Sequence, residues 1–317
     1  MNIVYSFFSK NAKLTELICY HNQLISLDVS KNTLLTKLDC SQNNLTELDV
    51  RFNSELTWLA CYENNLTELN LHDNDKLTIL SCHTNKLTEL DVSHQYYLTG
   101  LYCMNNNLTK LFLWYNRNLT ALACNNNSLT ELVLWTELLT DLRCNDNKLT
   151  ALDISKNTKL PELNCANNNI TELDITNNTL LTKLNCENNN LTELNISNNT
   201  LLEILNCSDN SLTELDVTSN SQLTRLYCEN NNLISLDLTN NQAIKCLHCN
   251  NNQLTTLDIS KTNIGYEYEY DYFEHVLECY MPSLKTLILK TGSDIDGITN
   301  NIDYNYISET TEIQYVD

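Results

Sequence analysis

Leu35-Thr36-Lys37-Leu38-Asp39-Cys40-Ser41-Gln42-Asn43-Asn44-Leu45-Thr46-Glu47-Leu48-Asp49-Val50 is the stretch whose alternation decides the fold. Leu38 and Cys40 stand two residues apart, so in an extended strand both side chains point to one side. Leu48 and Val50 repeat that spacing a few residues later. The stretch predicts two extended segments whose apolar sides face each other across a thin core. Asn43 falls where the first segment ends and backbone groups lose their ladder partners. A buried asparagine amide supplies two donors and an acceptor for such groups. It also tolerates left-handed backbone.

The stretch recurs outward in both directions. Cysteine stands at 19, 40, 61, 82, 103, 124, 144, 165, 186, 207, 228 and 249; ten of the eleven intervals are 21 residues and one, Cys124 to Cys144, is 20. The pattern is LTxLxCxxNxLTxLDxSxNxx. The position eight after the cysteine is leucine in all twelve coils, and the position three after is asparagine in all twelve, from Asn22 to Asn252. A fixed period of this size marks a solenoid, in which each coil roofs its neighbour. Five or six large apolar side chains per coil, at roughly 1.5–3 kcal/mol each, supply the drive. Ordering a coil costs a comparable amount, so single coils do not stand alone.

LxxLxCxxNxL, followed in the same coil by LTxLDxSxN, resembles the nested 21-residue (IRREKO-type) class of bacterial leucine-rich repeats, over about residues 4–260. A chain of this kind fits an enterobacterial open reading frame. The resemblance implies a leucine-rich-repeat solenoid of about 12–13 coils, with a parallel β-sheet on one face. It implies a macromolecule-binding role. The helix-forming segments of longer repeats are missing, so the other face is expected to carry short strands or 3-10 turns. No catalytic domain of the bacterial ligase-effector type is attached. Residues 1–261 are expected as the solenoid and 262–317 as a C-terminal cap with one further repeat-like strand, Leu284-x-x-Leu287-x-Leu289.

A net charge of −21 opposes nucleic acid and anionic membranes, because phosphate binding needs a basic stripe. No run reaches 18 apolar residues, so no membrane insertion is expected. No signal peptide is readable, and the ladder thiols favour a reducing compartment; the expectation is cytoplasmic, or secreted or surface-bound if an upstream segment is missing. At the start, Tyr5, Phe7 and Phe8 either form a minimal cap or follow a missing one. Near the end, tyrosines alternate with acids (Tyr266, Tyr268, Tyr270, Tyr272), and Phe273–Tyr280 is expected as a short helix stopped by Pro282.

Partner contacts are sought where outward positions leave the pattern. Most coils carry Asp nine after the cysteine and Ser or Thr eleven after, as in Asp28 and Ser30. Two adjacent coils carry Phe112 and Trp114, then Val133 and Trp135, with Tyr96, Tyr97 and Tyr115 in neighbouring loops. Stacked coils gather these into an exposed apolar patch, a frequent mark of an interface. The alternative is that the rings cover a defect left by the one-residue deletion after Trp135. On the sheet face, outward positions of the first half bring together Trp58, Tyr62, His83, Tyr102 and Met104, with Tyr20 and Ile79. The second half there carries Glu162, Asn164, Lys183, Asn185, Glu187, Arg225, Tyr227 and Glu229, and most of it is expected to be solvated surface.

Files of acids, Glu47, Glu68 and Glu89 among them, lack calcium-loop spacing and are expected as a solvated face. The Asp column offers acceptors for turn N–H groups. Threonine lies at coil corners, not in the paired outward rows of an ice-binding face. Cys246 and His248 share one side of a strand; His275 and Cys279 would share a helix face and complete a zinc set only by converging. The six histidines are scattered, and no nucleophile elbow or phosphate loop occurs. The sequence therefore predicts a non-enzymatic scaffold for a protein partner, with no metal or cofactor. The rival expectation is a structural or vestigial surface protein without a dedicated partner; a glycan-binding surface is a third.

Overall fold

The computed structural model describes residues 10–264, 277–293 and 310–317. The chain forms two compact units, Met1–Lys159 and Leu160–Asp317. In the first, seven three-residue strands follow one another: β1 (Glu16–Ile18), β2 (Lys37–Asp39), β3 (Trp58–Ala60), β4 (Ile79–Ser81), β5 (Gly100–Tyr102), β6 (Ala121–Ala123) and β7 (Asp141–Arg143). Each pairs in parallel with the next, and the register steps by whole coils, Leu17 to Leu38 to Leu59. The second unit continues with β8 (Glu162–Asn164), β9 (Lys183–Asn185), β10 (Ile204–Asn206), β11 (Arg225–Tyr227), β12 (Cys246–His248), β13 (Thr256–Asp258), β14 (Leu277–Glu278), β15 (Thr286–Lys290) and β16 (Glu312–Val316). There β8 to β12 and then β14 form one parallel series, and β13, β15 and β16 form a second. Each unit is a parallel β-solenoid, and no helix occurs among the described residues.

The inner files are as the period requires. Leu35, Leu38, Cys40, Leu45 and Val50 are fully buried, and so are their counterparts one coil on. Burial pushes the Cys82 and Cys165 thiols up to about 12, while Cys19, at one end of the file and only partly covered, rises to about 11. The asparagine three after each cysteine does the work expected of it. Asn43 Nδ2 donates to the carbonyls of Cys19, Cys40 and Ser41 at 3.0–3.1 Å, and its Oδ1 accepts from the Leu24 N–H at 3.0 Å. One amide thus ties two coils and closes a turn.

A second buried asparagine file, thirteen after the cysteine, ties the opposite corner. Asn53 Nδ2 donates to the carbonyls of Val29 and Asn32 in the coil before. Threonine hydroxyls brace a further corner: Thr57 donates to the Thr36 carbonyl and Thr78 to that of Thr57.

Two expectations are corrected. The left-handed residue is not the buried asparagine but the one before it: His21, Gln42, Glu63, Thr84, Asn105 and their counterparts to Asn251 have φ of 50–55°. Inter-coil backbone bonds hold it there, as in Gln42 N–H to Tyr62 O at 2.8 Å, so the surrounding frame imposes a conformation that even threonine accepts.

The second correction concerns the segment expected as a helix before Pro282. Leu277–Glu278 is a strand, β14, in register with Leu247 and His248. Cys279 is fully buried against Cys249 and extends the ladder to a thirteenth cysteine, 30 residues after the twelfth. Leu284, Leu287 and Leu289 then fall five, eight and ten after it, as in every other coil, and all are buried. The remainder of the expected helix, 273–276, with His275 and the tyrosines at 266–272, lies outside the described residues, as do Tyr5, Phe7 and Phe8.

Candidate functional site

On the second half-coil, the Asp column ends each extended segment with a side-chain turn. The Ser30 N–H donates to Asp28 Oδ1 at 2.9 Å, Ser93 to Asp91 at 2.9 Å, and Thr176 to Asp174 at 3.0 Å. These bonds hold the carboxyls below their usual range, by the Ser30 amide at Asp28 and the Ser93 hydroxyl and amide at Asp91. The acids therefore have a local structural task as well as a charge.

Phe112 and Val133 stand where that Asp belongs. Neither side chain can accept a hydrogen bond, and both favour extended backbone. Their two coils meet instead in a parallel β-bridge, Phe112 to Val133. The inner residues stay in place: Leu111, Leu113, Leu132 and Leu134 are buried. Outward, Phe112 is 50% exposed, Trp114 54%, Tyr115 57%, Val133 45% and Trp135 47%. Phe112 and Trp114 meet edge to face with centroids 5.8 Å apart, and Tyr96 meets Tyr115 likewise at 6.0 Å. Tyr97 stands exposed beside Tyr96. Trp135 takes a cation, with Lys156 Nζ 5.6 Å from its ring centroid.

The deleted residue is accounted for on the inside. Thr136, 3% exposed, takes the place of the buried asparagine. Its hydroxyl donates to the Leu119 carbonyl at 2.8 Å and its own carbonyl accepts from Asn157 Nδ2 at 2.7 Å. A shorter side chain thus fits a shorter coil, and the rings nearby are left facing outward.

His72 and His94 carry the aromatic surface further than the sequence indicated. Their rings lie 4.7 Å apart, and His94 meets Tyr96 at 6.4 Å. The signal available was two histidines eleven and twelve after the cysteines of adjacent coils.

The sheet face of the first unit holds the second group. Tyr62 and His83 stack at 4.5 Å with 13° between their planes. Burial lowers the His83 pKa, and Nδ1 lies 3.0 Å from Thr84 Oγ1. Lys37 Nζ sits 4.9 Å from the Trp58 ring centroid. Trp58, Tyr62, His83, Tyr102 and Met104 are all partly buried, unlike the exposed rings of the second half-coil. Gly100 makes part of this surface. A Cβ there would stand 2.8 Å from Ile79 Cδ1 and 3.2 Å from Tyr102 Cε2, so its bare backbone gives those side chains room. It is the one glycine between residues 1 and 261, and a glycine inside a strand signals such a close approach.

Of the expected zinc set, His275 lies outside the described residues and the other three do not come together. Cys279 points into the core with Cys249, while Cys246 and His248 lie on the outward side of β12. Among the described residues, no three His, Cys, Asp or Glu side chains are grouped to hold a metal ion. No helix among them is long and apolar enough to cross a membrane.

The molecule is similar to solved leucine-rich-repeat structures. The functional domain of InlJ from Listeria monocytogenes, which includes a cysteine ladder, is 35% identical, with 91% of this chain and 67% of that one covered and a TM-score of 0.75. A leucine-rich-repeat protein of Leptospira interrogans shares the fold at 23% identity, with 96% and 79% covered and a TM-score of 0.71. YopM, a leucine-rich effector protein from Yersinia pestis, is 25% identical, with 80% and 76% covered and a TM-score of 0.59. No protein-family model matches the sequence, and no curated protein does.

Proposed function

The chain belongs to the leucine-rich-repeat family, and from that premise we propose that it is a non-enzymatic scaffold of the nested 21-residue subtype that binds another protein. Its contacts are the patch around Phe112, Trp114, Tyr115, Val133 and Trp135, with Tyr96 and Tyr97, and the sheet-face group of Trp58, Tyr62, His83, Tyr102 and Met104. Residues 262–317 serve as its C-terminal cap.

One observation carries the reading. Five large apolar side chains stand about half exposed on coils whose buried apolar files are intact. Aromatic side chains offer large contact area at small entropy cost, which is why they dominate interface energetics. Held out in water on one small area, they are poorly explained by the stability of the coils beneath them.

The test is affinity capture from the native host with three baits: the native chain, a Trp114→Ala, Trp135→Ala variant, and a Trp58→Ala, Tyr62→Ala variant. A specific protein held by the native chain and lost at least tenfold by one variant, with unchanged melting, is the expected result. Equal capture by all three baits would sink both contact assignments.

A further inference from the structure

The aromatic patch borders a groove of about 520 Å³ lined by Glu89, Asp91, Lys110, Phe112, Trp114 and Tyr115. Glu89 and Asp91 also line the end of a longer groove of about 940 Å³, which continues over the first coils past Asp28, Glu47, Asp49 and Glu68. The two grooves therefore share a wall and form one strip within the first unit. Along it, carboxylates outnumber cations. Arg51 is paired with Asp49 at 2.9 Å, and His72 and His94 lie at the edge. One end of the strip is anionic and the other aromatic.

Cations already seat on indole rings in this unit. Lys156 stands over Trp135 and Lys37 over Trp58. An indole face attracts a cation through its quadrupole, and more so when flanked by carboxylates. The strip thus offers two kinds of seat for positive charge in one line.

We propose that this strip takes a lysine- and arginine-rich segment of the partner protein, its basic side chains along Asp28 to Asp91 and one long side chain against Trp114. The inference rests on the protein-binding reading and adds the chemistry of the partner. From Asp28 to Trp114 the strip crosses five coils, roughly 19 Å at about 4.8 Å per parallel spacing, or about six residues of extended chain at about 3.3 Å each. A second copy of this chain is the wrong occupant, since its net charge of −21 would set like against like. Nucleic acid is refused for the same reason.

The probe is a blocked peptide of six alternating lysines and arginines followed by phenylalanine, titrated calorimetrically against the full chain; a glutamate version is the control. Expected are one site per chain, binding at least tenfold tighter than the control, and weakening as salt is raised. Glu68→Gln with Glu89→Gln, exposed side chains outside the turn hydrogen bonds, is expected to weaken binding about tenfold, and Trp114→Ala by a similar factor. Peptide binding that survives both variants, or that equals the control, overturns the proposal. So does a concentration-dependent dimer lost on Trp114→Ala, which would place a second copy on the strip. A protein captured through Trp114 and Trp135 that the peptide fails to displace overturns the cationic assignment and leaves the scaffold reading intact. A peptide that binds the strip while no protein is captured supports the strip's chemistry and counts against the scaffold.

Discussion

The coils of Cys40 and Cys103 agree inside and disagree outside. Their buried residues match (Leu35 and Leu98, Leu38 and Leu101, Cys40 and Cys103, Asn43 and Asn106, Leu45 and Leu108, Leu48 and Leu111, Asn53 and Asn116) except for Val50 against Leu113 and Ser41 against Met104. Outward they share Thr36 and Thr99, Asn44 and Asn107, and Thr46 and Thr109, but part elsewhere: Lys37 against Gly100, Asp39 against Tyr102, Glu47 against Lys110, Asp49 against Phe112, Arg51 against Trp114. The difference separates two tasks. Most of the stacking is carried by side chains that never see solvent, with the threonine hydroxyls and the Asp turns adding bonds at the surface, so the remaining outward positions vary at small cost in stability. Where they turn apolar, the buried files shared with ordinary coils do not account for the change.

If that division is right, disturbing the inside hits both coils alike. The largest effect is alkaline. Burial raises the Cys40 and Cys103 thiols well above their usual range. A group with a raised folded pKa keeps its proton in the fold after the unfolded chain has lost it. The stability it contributes is therefore full below about 8.5 and is lost as the pH rises through the folded value. Each ladder thiol steepens the loss by up to about 1.4 kcal/mol per pH unit. Denaturant midpoints measured from pH 7 to 10.5 are expected to hold flat and then fall, and Cys40→Ala and Cys103→Ala are expected to flatten that fall equally. A flat profile to pH 10.5 would contradict a dry interior.

Next in size is the asparagine file. Asn106 repeats the Asn43 pattern, with Nδ2 to the carbonyls of Cys82 and Cys103 and Oδ1 from the Leu87 N–H. Asn43→Leu and Asn106→Leu each strand several buried backbone groups, at about 1–3 kcal/mol apiece. A loss of about 4 kcal/mol is expected in both, read from urea unfolding. A much smaller loss at Asn106 would mean that the aromatic coils are held by their rings.

The smallest effect is the sharpest discriminator. Phe112→Asp with Trp114→Ser writes the ordinary outward sequence into the aromatic coil and restores an Asp-to-Ser turn. Stability is expected to stay within about 1 kcal/mol, as for exposed substitutions in general. Partner capture is expected to be lost, and peptide binding to weaken about tenfold as for Trp114→Ala. A large drop in the melting midpoint would instead make the rings structural.

Most of the fold was legible because the inner files repeat at one spacing and burial leaves them few choices. What escaped was local. The left-handed site was assigned to Asn43 on side-chain preference, but the backbone ladder places it at Gln42, and a preference yields to a frame that over-determines it. The 30-residue interval hides the place of Cys279 in the file, although the Leu277-x-Cys279 alternation and the leucines at 284, 287 and 289 mark it. Of the site, the exposed residues were legible as departures from a rule. Gly100, Lys156, His72 and His94 were not, since what matters about them is the neighbour each acquires when coils stack.

The file of thirteen thiols has a consequence for where such a molecule survives. Oxidants attack the thiolate, and a sulfur kept dry and protonated offers them none. Side chains that lie parallel in successive coils are also badly aimed for bridging. Apart from the partly covered Cys19, these sulfurs behave as hydrocarbon that happens to contain sulfur. For the twelve buried ladder thiols, oxidants meet no thiolate whether the solvent is aerated or reducing.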